Sequence, residues 1–411
     1  MRPHWAVLSF IDLAEQGAPR THVLEFSRSL AKHADVTVVN PTAPELVGTD
    51  DLDYTRITSP RIGNPVRFWN IPSSALATAA LLGRLHRRHR FDVLYVRDDV
   101  RALPALLWAK LASVVSVFEV NGAIREEVVL CTPDRKGWRT WPWRSRLAVQ
   151  MALLGAAYRG ADRVVAVTDA LGRHIIGRHH VRPGRVGVFG NGANTDLFTP
   201  LDNRESRREL GLDPHTRYVG FVGNMYGWHG LNDLVTAFAA VAPEHGDARL
   251  LLVGDGVEAP RLRELARRSG VAPRTDFVGR VPYRDVPRYI SASDFCVGPF
   301  NAWIRNQVCG ASPLKIFEYL ACGRPVLVSS LDDMRFVSDE DVGRLYQVGS
   351  TESLEAGLRE MLSLPRDEID AMGTRARRLA VERFSWDATA RGIVRFVAAV
   401  RPNQRAGRDR P

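Results

Sequence analysis

The chain has 411 residues, of which 45% are hydrophobic and 25% charged, enough for about two domains. This balance excludes a disordered, collagen-like or coiled-coil chain, and no apolar run reaches the roughly 18 residues of a membrane span. The formal net charge is +10, and it is lopsided: residues 1–195 hold 26 Lys and Arg against 17 Asp and Glu, whereas residues 196–411 hold 30 against 29.

Residues 5–10 form a short apolar run that breaks at Asp12. It is too short for a signal peptide and reads as a first buried strand. A helix is predicted over 21–33 and a strand over 35–40. Helix 73–89, strand 92–96, helix 102–111, strand 114–120, helix 145–157 and strands 163–167 and 184–189 follow. This is the βα rhythm of a parallel, doubly wound sheet. Residues 190–213 are polar, carry Pro200 and read as a linker. The rhythm then restarts with strand 218–222, helix 232–241, strand 249–253 and helix 259–269. Strands 276–278 and 294–298, helix 312–321, strand 325–329 and a helical tail from 351 complete it. The fold class is therefore α/β, with two doubly wound Rossmann-like domains over residues 1–195 and 196–384. Such sheets bind ligands at the carboxyl ends of their strands. Residues 401–411 are a polar tail.

The four cysteines, Cys131, Cys296, Cys309 and Cys322, show no C-x-x-C spacing. This predicts a reduced, cytoplasmic protein without a zinc knuckle or disulfide framework. Only four of the 56 basic residues are lysine, and Lys315 is the last of them. Its retention in an Arg-biased chain suits a site needing a compact point charge; chance retention is the alternative. Two basic segments stand out in the first half. Residues 84–90 read as a solvated helix end. Residues 135–146 combine five basic residues with Trp138, Trp141 and Trp143. That segment either packs its own Trp or makes a peripheral contact with an anionic membrane at its inner face. Asp51-Leu52-Asp53 mimics a metal-binding D-x-D but lies in a polar loop of the first domain, and no metal is expected.

Three segments carry chemistry. In Ser312-Pro313-Leu314-Lys315-Ile316-Phe317-Glu318, Ser312 fits an N-cap and Pro313 the first helical position. The amides of such a helix start form an anion site. Lys315 adds charge in the first turn, and Glu318 lies one turn further along. An ordinary capped helix with a solvated lysine is the plainer alternative. The second segment, residues 221–230, joins a strand to a helix and holds Gly223, Asn224, Gly227, His229 and Gly230. Its glycines allow close backbone approach, and Asn224 and His229 offer donors. The third, Val253-Gly254-Asp255-Gly256, is a strand-end turn lacking the third glycine of a dinucleotide fingerprint.

In this order, the segments resemble glycosyltransferase family 4, of the GT-B fold. Residues 191–194 (N-G-A-N) look like its N-G-V-D segment, residues 221–230 like its F-V-G-R…K-G loop, and 253–256 like its V-G-x-G turn. Residues 312–326 are similar to its S-P-L-K-x-x-E-Y-x-A-x-G-x-P run, and 117–122 (V-F-E-V-N-G) to its acceptor-domain strand end. The resemblance implies two domains facing a central cleft, with residues 385–400 crossing back to the first. It implies retaining transfer of a sugar from a nucleotide-diphosphate donor, UDP- or GDP-linked, to a small-molecule or lipid-linked acceptor held mainly by the first domain. Envelope glycans, glycolipids and secondary metabolites are the product classes it suggests. The nucleotide sugar is a substrate, so no cofactor is implied.

Catalytic roles then fall to Lys315, Glu318, His229 and Asn121. Donor binding falls to Gly17, Gly223, Asn224, Gly254, Ser312, Pro313, Leu314, Lys315 and Glu318, with Glu318 on the ribose. Four positions depart from the family pattern. Asn224 and His229 stand where Arg and Lys are common, Gly310 where a first glutamate is common, and Asn121 where His is common. Of the two glycines usual after the first strand, only Gly17 is present. Asn121 cannot act as a base; Asp98, Asp99, Glu126 and Glu127 are the fallback carboxylates. A nucleotide-sugar epimerase, a pseudo-glycosyltransferase, a basic nucleic-acid-binding protein and a non-catalytic scaffold remain alternatives. The near-neutral second half and the lack of a nucleic-acid module speak against nucleic acid.

Overall fold

The computed structural model describes residues 2–15, 17–47, 51–57, 71–122, 141–302 and 309–400. The chain divides into two compact units, Met1–Gly190 with the segment from Thr389, and Asn191–Ala388.

The first unit runs β1 (His4–Leu8), α1 (Ala18–Ala31), β2 (Asp35–Asn40), β3 (Asp53–Arg56), α2 (Ile71–His89), β4 (Val93–Arg97), α3 (Leu103–Leu111), β5 (Val115–Val120), α4 (Trp141–Gly160), β6 (Arg163–Ala166), α5 (Asp169–His179) and β7 (Val186–Val188). Among the described residues its sheet has seven parallel strands in the order β3-β2-β1-β4-β5-β6-β7. The order reverses beside β1, which leaves β1 and β4 at the switch point. Strands such as Val-Leu-Tyr-Val at 93–96 are buried along their length, as strands covered on both faces must be.

The second unit runs α6 (Asn203–Glu209), β8 (Arg217–Val222), α7 (Leu231–Val241), β9 (Ala248–Val253), α8 (Ala259–Arg268), β10 (Thr275–Gly279), α9 (Val286–Ala292), β11 (Phe295–Gly298), α10 (Leu314–Ala321), β12 (Val326–Ser329), α11 (Phe336–Asp339), β13 (Gly343–Tyr346), α12 (Thr351–Ser363) and α13 (Arg366–Arg383). Among the described residues its six parallel strands lie in the order β10-β9-β8-β11-β12-β13, with the switch point between β8 and β11. Two apolar clusters fill the faces of this sheet, one around Tyr319 and Val326, the other around Phe238 and Leu252.

The last helix, α14 (Trp386–Ala398), begins in the second unit and continues in the first. Within the first unit, Thr389 donates from Oγ1 to the Gly190 carbonyl (2.9 Å), and Phe396 packs on Phe189 with Arg163 over its ring. The units part at 190/191 because Asn191 and Ala193 are tied into the second unit, Ala193 N–H donating to the Phe384 carbonyl at 2.8 Å.

Several elements differ from the sequence reading. The expected linker contains α6, which Asp202 caps by accepting from Glu205 N–H. The loop holding Asp51 and Asp53 runs into edge strand β3. There Asp51 pairs with Arg28 (2.7 Å) while Asp53 accepts from the Thr37 hydroxyl (2.6 Å), so the two carboxylates serve different partners. No helix among the described residues is long and apolar enough to cross a membrane. Cys296, Cys309 and Cys322 are buried. Cys131, Glu126, Glu127 and residues 135–140 lie outside the described residues, as do the side chains of 141–146.

Candidate functional site

Three chain segments meet at the switch point of the second unit. Gly223 follows β8, and its N–H donates to the Val253 carbonyl (2.9 Å). Gly254 follows β9 with φ +124°, and a Cβ there would stand 2.0 Å from the Gly223 carbonyl oxygen. Met225 N–H donates to the Asp255 carbonyl (2.9 Å), so the two strand-end loops interlock through backbone. A third segment comes from beyond β11, where the Asn301 side-chain amide donates to the Gly227 carbonyl (2.7 Å). Gly230, at φ +62°, has its Cα against the Pro299 carbonyl, where a Cβ would lie 2.0 Å away. The glycines are therefore packing requirements of these loops, and they leave main chain facing the strand ends.

Lys315, in the first turn of α10, reaches into this cluster. Its Nζ is enclosed and has no hydrogen-bond partner among the described residues, although the residue as a whole is half-buried. The ammonium lies 4.3 Å from the Phe221 ring centre and 5.8 Å from that of Phe300. A Cβ on Gly223 would fall 3.0 Å from Nζ and 3.1 Å from Cε. Burial pushes the lysine down to about 7, and the nearby Glu318 carboxylate offsets only part of this. Glu318 accepts from the Tyr283 hydroxyl at 3.3 Å. The Tyr319 hydroxyl both donates to the Val222 carbonyl and accepts from Val222 N–H (each 2.8 Å), which fixes α10 against the end of β8.

His229 sits in a single 3-10 turn, Gly227–His229, with Nδ1 2.5 Å from the Asn224 carbonyl oxygen. The structure thus brings Gly223, Asn224, His229, Gly254, Lys315 and Glu318 to one strand-end region of one unit. It alters the role of Ser312. The helix begins at Leu314, with Pro313 at the N-cap and no side-chain cap bond. The Ser312 hydroxyl instead accepts from Asn191 N–H (2.8 Å), and its carbonyl accepts from the Asn191 side-chain amide (2.6 Å). A distant partner outcompetes the local cap, and Asn191 emerges as a positioning residue for the α10 entry. Gly310 adopts φ +67°, a conformation costly for the glutamate common at that place in the family.

Gly17 and Asn121 belong to the first unit, both at the carboxyl edge of its sheet. Gly17 caps α1 after β1. Asn121 follows β5, and its Nδ2 is enclosed without a hydrogen-bond partner among the described residues. Beneath it lies a buried ionic cluster that the sequence did not reveal. His22 Nε2 stands 2.7 Å from Glu119 Oε1. Burial alone would push the Glu119 carboxyl up, but His22, Arg97 and Tyr95 together outweigh it and hold the group down at about 2. Asp99, a fallback base, is engaged by Arg101 at 2.6 Å and caps the following turn.

Residues 20–197 match the family model described as Glycosyltransferase Family 4, and residues 216–363 the one described as Glycosyl transferases group 1. The chain belongs to the family 4 glycosyltransferases. A D-inositol 3-phosphate glycosyltransferase of Segniliparus rotundus is 30% identical over 239 residues, 57% of this chain and 51% of that protein. The corresponding protein of Thermobispora bispora is 31% identical over 240 residues, 56% of this chain and 54% of its own. The chain thus spans about half the length of the curated relatives it matches. Among solved structures, a glycosyltransferase from Rickettsia africae aligns with a TM-score of 0.73 at 16% identity, covering 98% of this chain and 99% of that one. Anabaena HepE in complex with UDP-glucose aligns at 0.70 and 18% identity, covering 97% and 100%. These likenesses establish the GT-B type of fold.

Proposed function

We propose that this family 4 protein is a retaining glycosyltransferase moving a sugar from a UDP- or GDP-linked donor to a hydroxyl-bearing acceptor. The observation that carries this reading is the Lys315 ammonium, enclosed at the β8/β11 switch point without a hydrogen-bond partner among the described residues. A buried cation without a hydrogen-bonded anion is costly, and a diphosphate would supply that partner. As the anomeric bond breaks, negative charge grows on the leaving phosphate. Lys315, the amides opening α10 and His229 are then the preorganised groups that stabilise it. Glu318 takes the ribose hydroxyls, as in the family. Asn121 offers an amide donor where a base would otherwise stand. The acceptor proton therefore passes to a leaving-group oxygen on the same face as the departing bond, which retains the anomeric configuration.

The carboxyl edge of the first unit, with Asn121 above the Arg97–Glu119 cluster, is assigned to the acceptor. The curated relatives are named for D-inositol 3-phosphate, so a phosphorylated polyol is the first acceptor to test. The Trp and basic residues of 135–146 support a second, lipid-linked acceptor reached by peripheral membrane contact.

A thermal-shift panel of UDP, GDP, TDP and ADP sugars tests the donor, because a ligand bound only by the folded state raises apparent stability. One nucleotide class should stabilise the wild type, and Lys315→Ala and Glu318→Ala should abolish the shift without unfolding the protein. Equal shifts in both variants, or none in the wild type, would reject the assignment.

A further inference from the structure

At the amino edge of the first sheet, opposite the edge that carries Gly17 and Asn121, three metal-ligating side chains converge. His4 opens β1, Asp53 opens β3 and His89 closes α2. One ligand atom from each lies within 4.8 Å of the others. We propose that His4, Asp53 and His89 form a binding site for a divalent transition-metal ion of the zinc class. Two imidazoles and one carboxylate suit Zn²⁺, Cu²⁺ or Ni²⁺, whereas Mg²⁺ and Ca²⁺ prefer all-oxygen sets.

The surroundings orient the three groups. The Thr37 hydroxyl donates to Asp53 Oδ2 (2.6 Å) and lies 2.9 Å from His4 Nε2, so a single side chain holds both the imidazole and the carboxylate. Outer hydrogen bonds of this kind fix ring orientation at metal sites. The backbone is equally fixed: His4 N–H donates to the Asp92 carboxylate (3.0 Å), and Asp92 N–H returns to the His4 carbonyl (2.8 Å). Phe91 lies edge-on to His4 (5.1 Å between ring centres) and parallel to His89 (5.8 Å). The Thr37 bridge accounts for His4 and Asp53 as a structural pair. It does not account for His89, which no hydrogen bond holds among the described residues and which faces the His4 ring at 5.3 Å.

With bonds of about 2.0–2.1 Å, tetrahedral zinc places two nitrogens about 3.4 Å apart. The three groups would therefore close in by at most about 1.4 Å, a movement within reach of side-chain rotation at a half-exposed rim. Water fills the remaining positions. Because the ligands come from an interior strand, an edge strand and a helix end, the ion would fasten these elements together. It would sit at the amino edge of the first sheet, opposite the carboxyl ends of its strands.

The test uses the tag-free, full-length protein freed of metal by chelator. Calorimetric titration with Zn²⁺ should show one saturable site, and Co²⁺ should give the absorption bands of a nitrogen-ligated ion. His89→Ala and Asp53→Asn should each weaken Zn²⁺ binding at least about tenfold and remove the rise in Tm that the ion gives the wild type. His89→Gln, with circular dichroism on all variants, guards against a folding defect at the helix end. Unchanged affinity in His89→Ala and Asp53→Asn would put the ion elsewhere and overturn the proposal. So would the lack of saturable uptake below millimolar zinc.

Discussion

Lys315→Met should make the protein more stable while depriving it of its donor. The wild-type side chain holds an ammonium against Phe221 with no counter-ion within hydrogen-bond reach among the described residues. Burial lowers this lysine from its ordinary 10.5 to about 7, a gap equivalent to about 5 kcal/mol. An uncharged side chain of similar length should recover up to that amount at acid pH. For a cooperative unit of this size the gain is about 2–4 °C in Tm per kcal/mol. The pH dependence fixes the sign. The unfolded lysine keeps its proton up to 10.5 and the folded one only to about 7. The penalty is therefore complete below pH 7 and fades as the pH rises from 7 to 10.5. Thermal unfolding of both proteins between about pH 6 and pH 9 should show the variant's advantage largest at the acid end and shrinking above neutrality. A Lys315→Met protein less stable than wild type at acid pH, or a difference independent of pH, would show that Nζ has a stabilising partner and would refute the reasoning.

Three other perturbations probe the supports of the two sheets. Gly223→Ala places a methyl 3.0 Å from Lys315 Nζ at φ +153°; urea unfolding should show a loss of about 1–3 kcal/mol and calorimetry a weaker nucleotide sugar, whereas unchanged donor affinity would separate Lys315 from the donor. Glu119→Gln removes a carboxylate whose folded value, about 2, lies below its ordinary 4.5. In the wild type that stabilisation is complete above 4.5 and is lost as the pH falls towards 2, so the variant should be weaker at neutral pH by about 3–5 kcal/mol and show a shallower acid limb; equal acid sensitivity would count against the cluster. Asp294→Ala strands the fully buried Arg207 guanidinium, 2.6 Å from that carboxylate, and should cost about 3–5 kcal/mol in denaturant, part of which Arg207→Met in the same chain should restore.

The parallel strands were legible because each is a continuous apolar run between polar loops. Residues 35–40 were read with the bounds they adopt, and 249–253 within one residue. The elements that escaped lack that signature. Strand β3 reads Asp-Tyr-Thr-Arg and takes its place by pairing along the edge of β2. Strand β13, Gly-Arg-Leu-Tyr, is held by its register with Val326–Ser329. Helix α6 hides in a stretch whose apolar content is too low to show a period. At the site, Gly223, Gly254, Lys315 and Glu318 stood out by spacing, and each lies at the strand ends where the spacing put it. The enclosure of Lys315 Nζ did not, because Phe221 and Phe300 come from other elements. Likewise, Arg97, Glu119 and His22 look like surface charges until the fold buries them together. Ser312 shows the reverse failure: a sound local capping rule yields to Asn191, more than a hundred residues away.

Under the proposed function, Asn224 and His229 at two commonly cationic positions leave most of the diphosphate's charge to Lys315, with a consequence for proton balance. A nucleotide sugar carries a diphosphate diester whose charge stays constant through the neutral range, so any pH dependence of its binding comes from the protein. Free Lys315 is half-protonated near pH 7; a bound diphosphate favours the charged form and raises that value. Binding at about pH 8 must then take up close to one proton per site, and affinity should fall by up to about tenfold per pH unit above 7. Calorimetry in two buffers of different ionisation enthalpy measures the uptake directly. Lys315→Met should abolish it, whereas His229→Ala should weaken binding and leave the uptake in place. If the uptake instead persists in Lys315→Met and disappears in His229→Ala, the titrating cation is the imidazole bound to Asn224. The role given to Lys315 then falls.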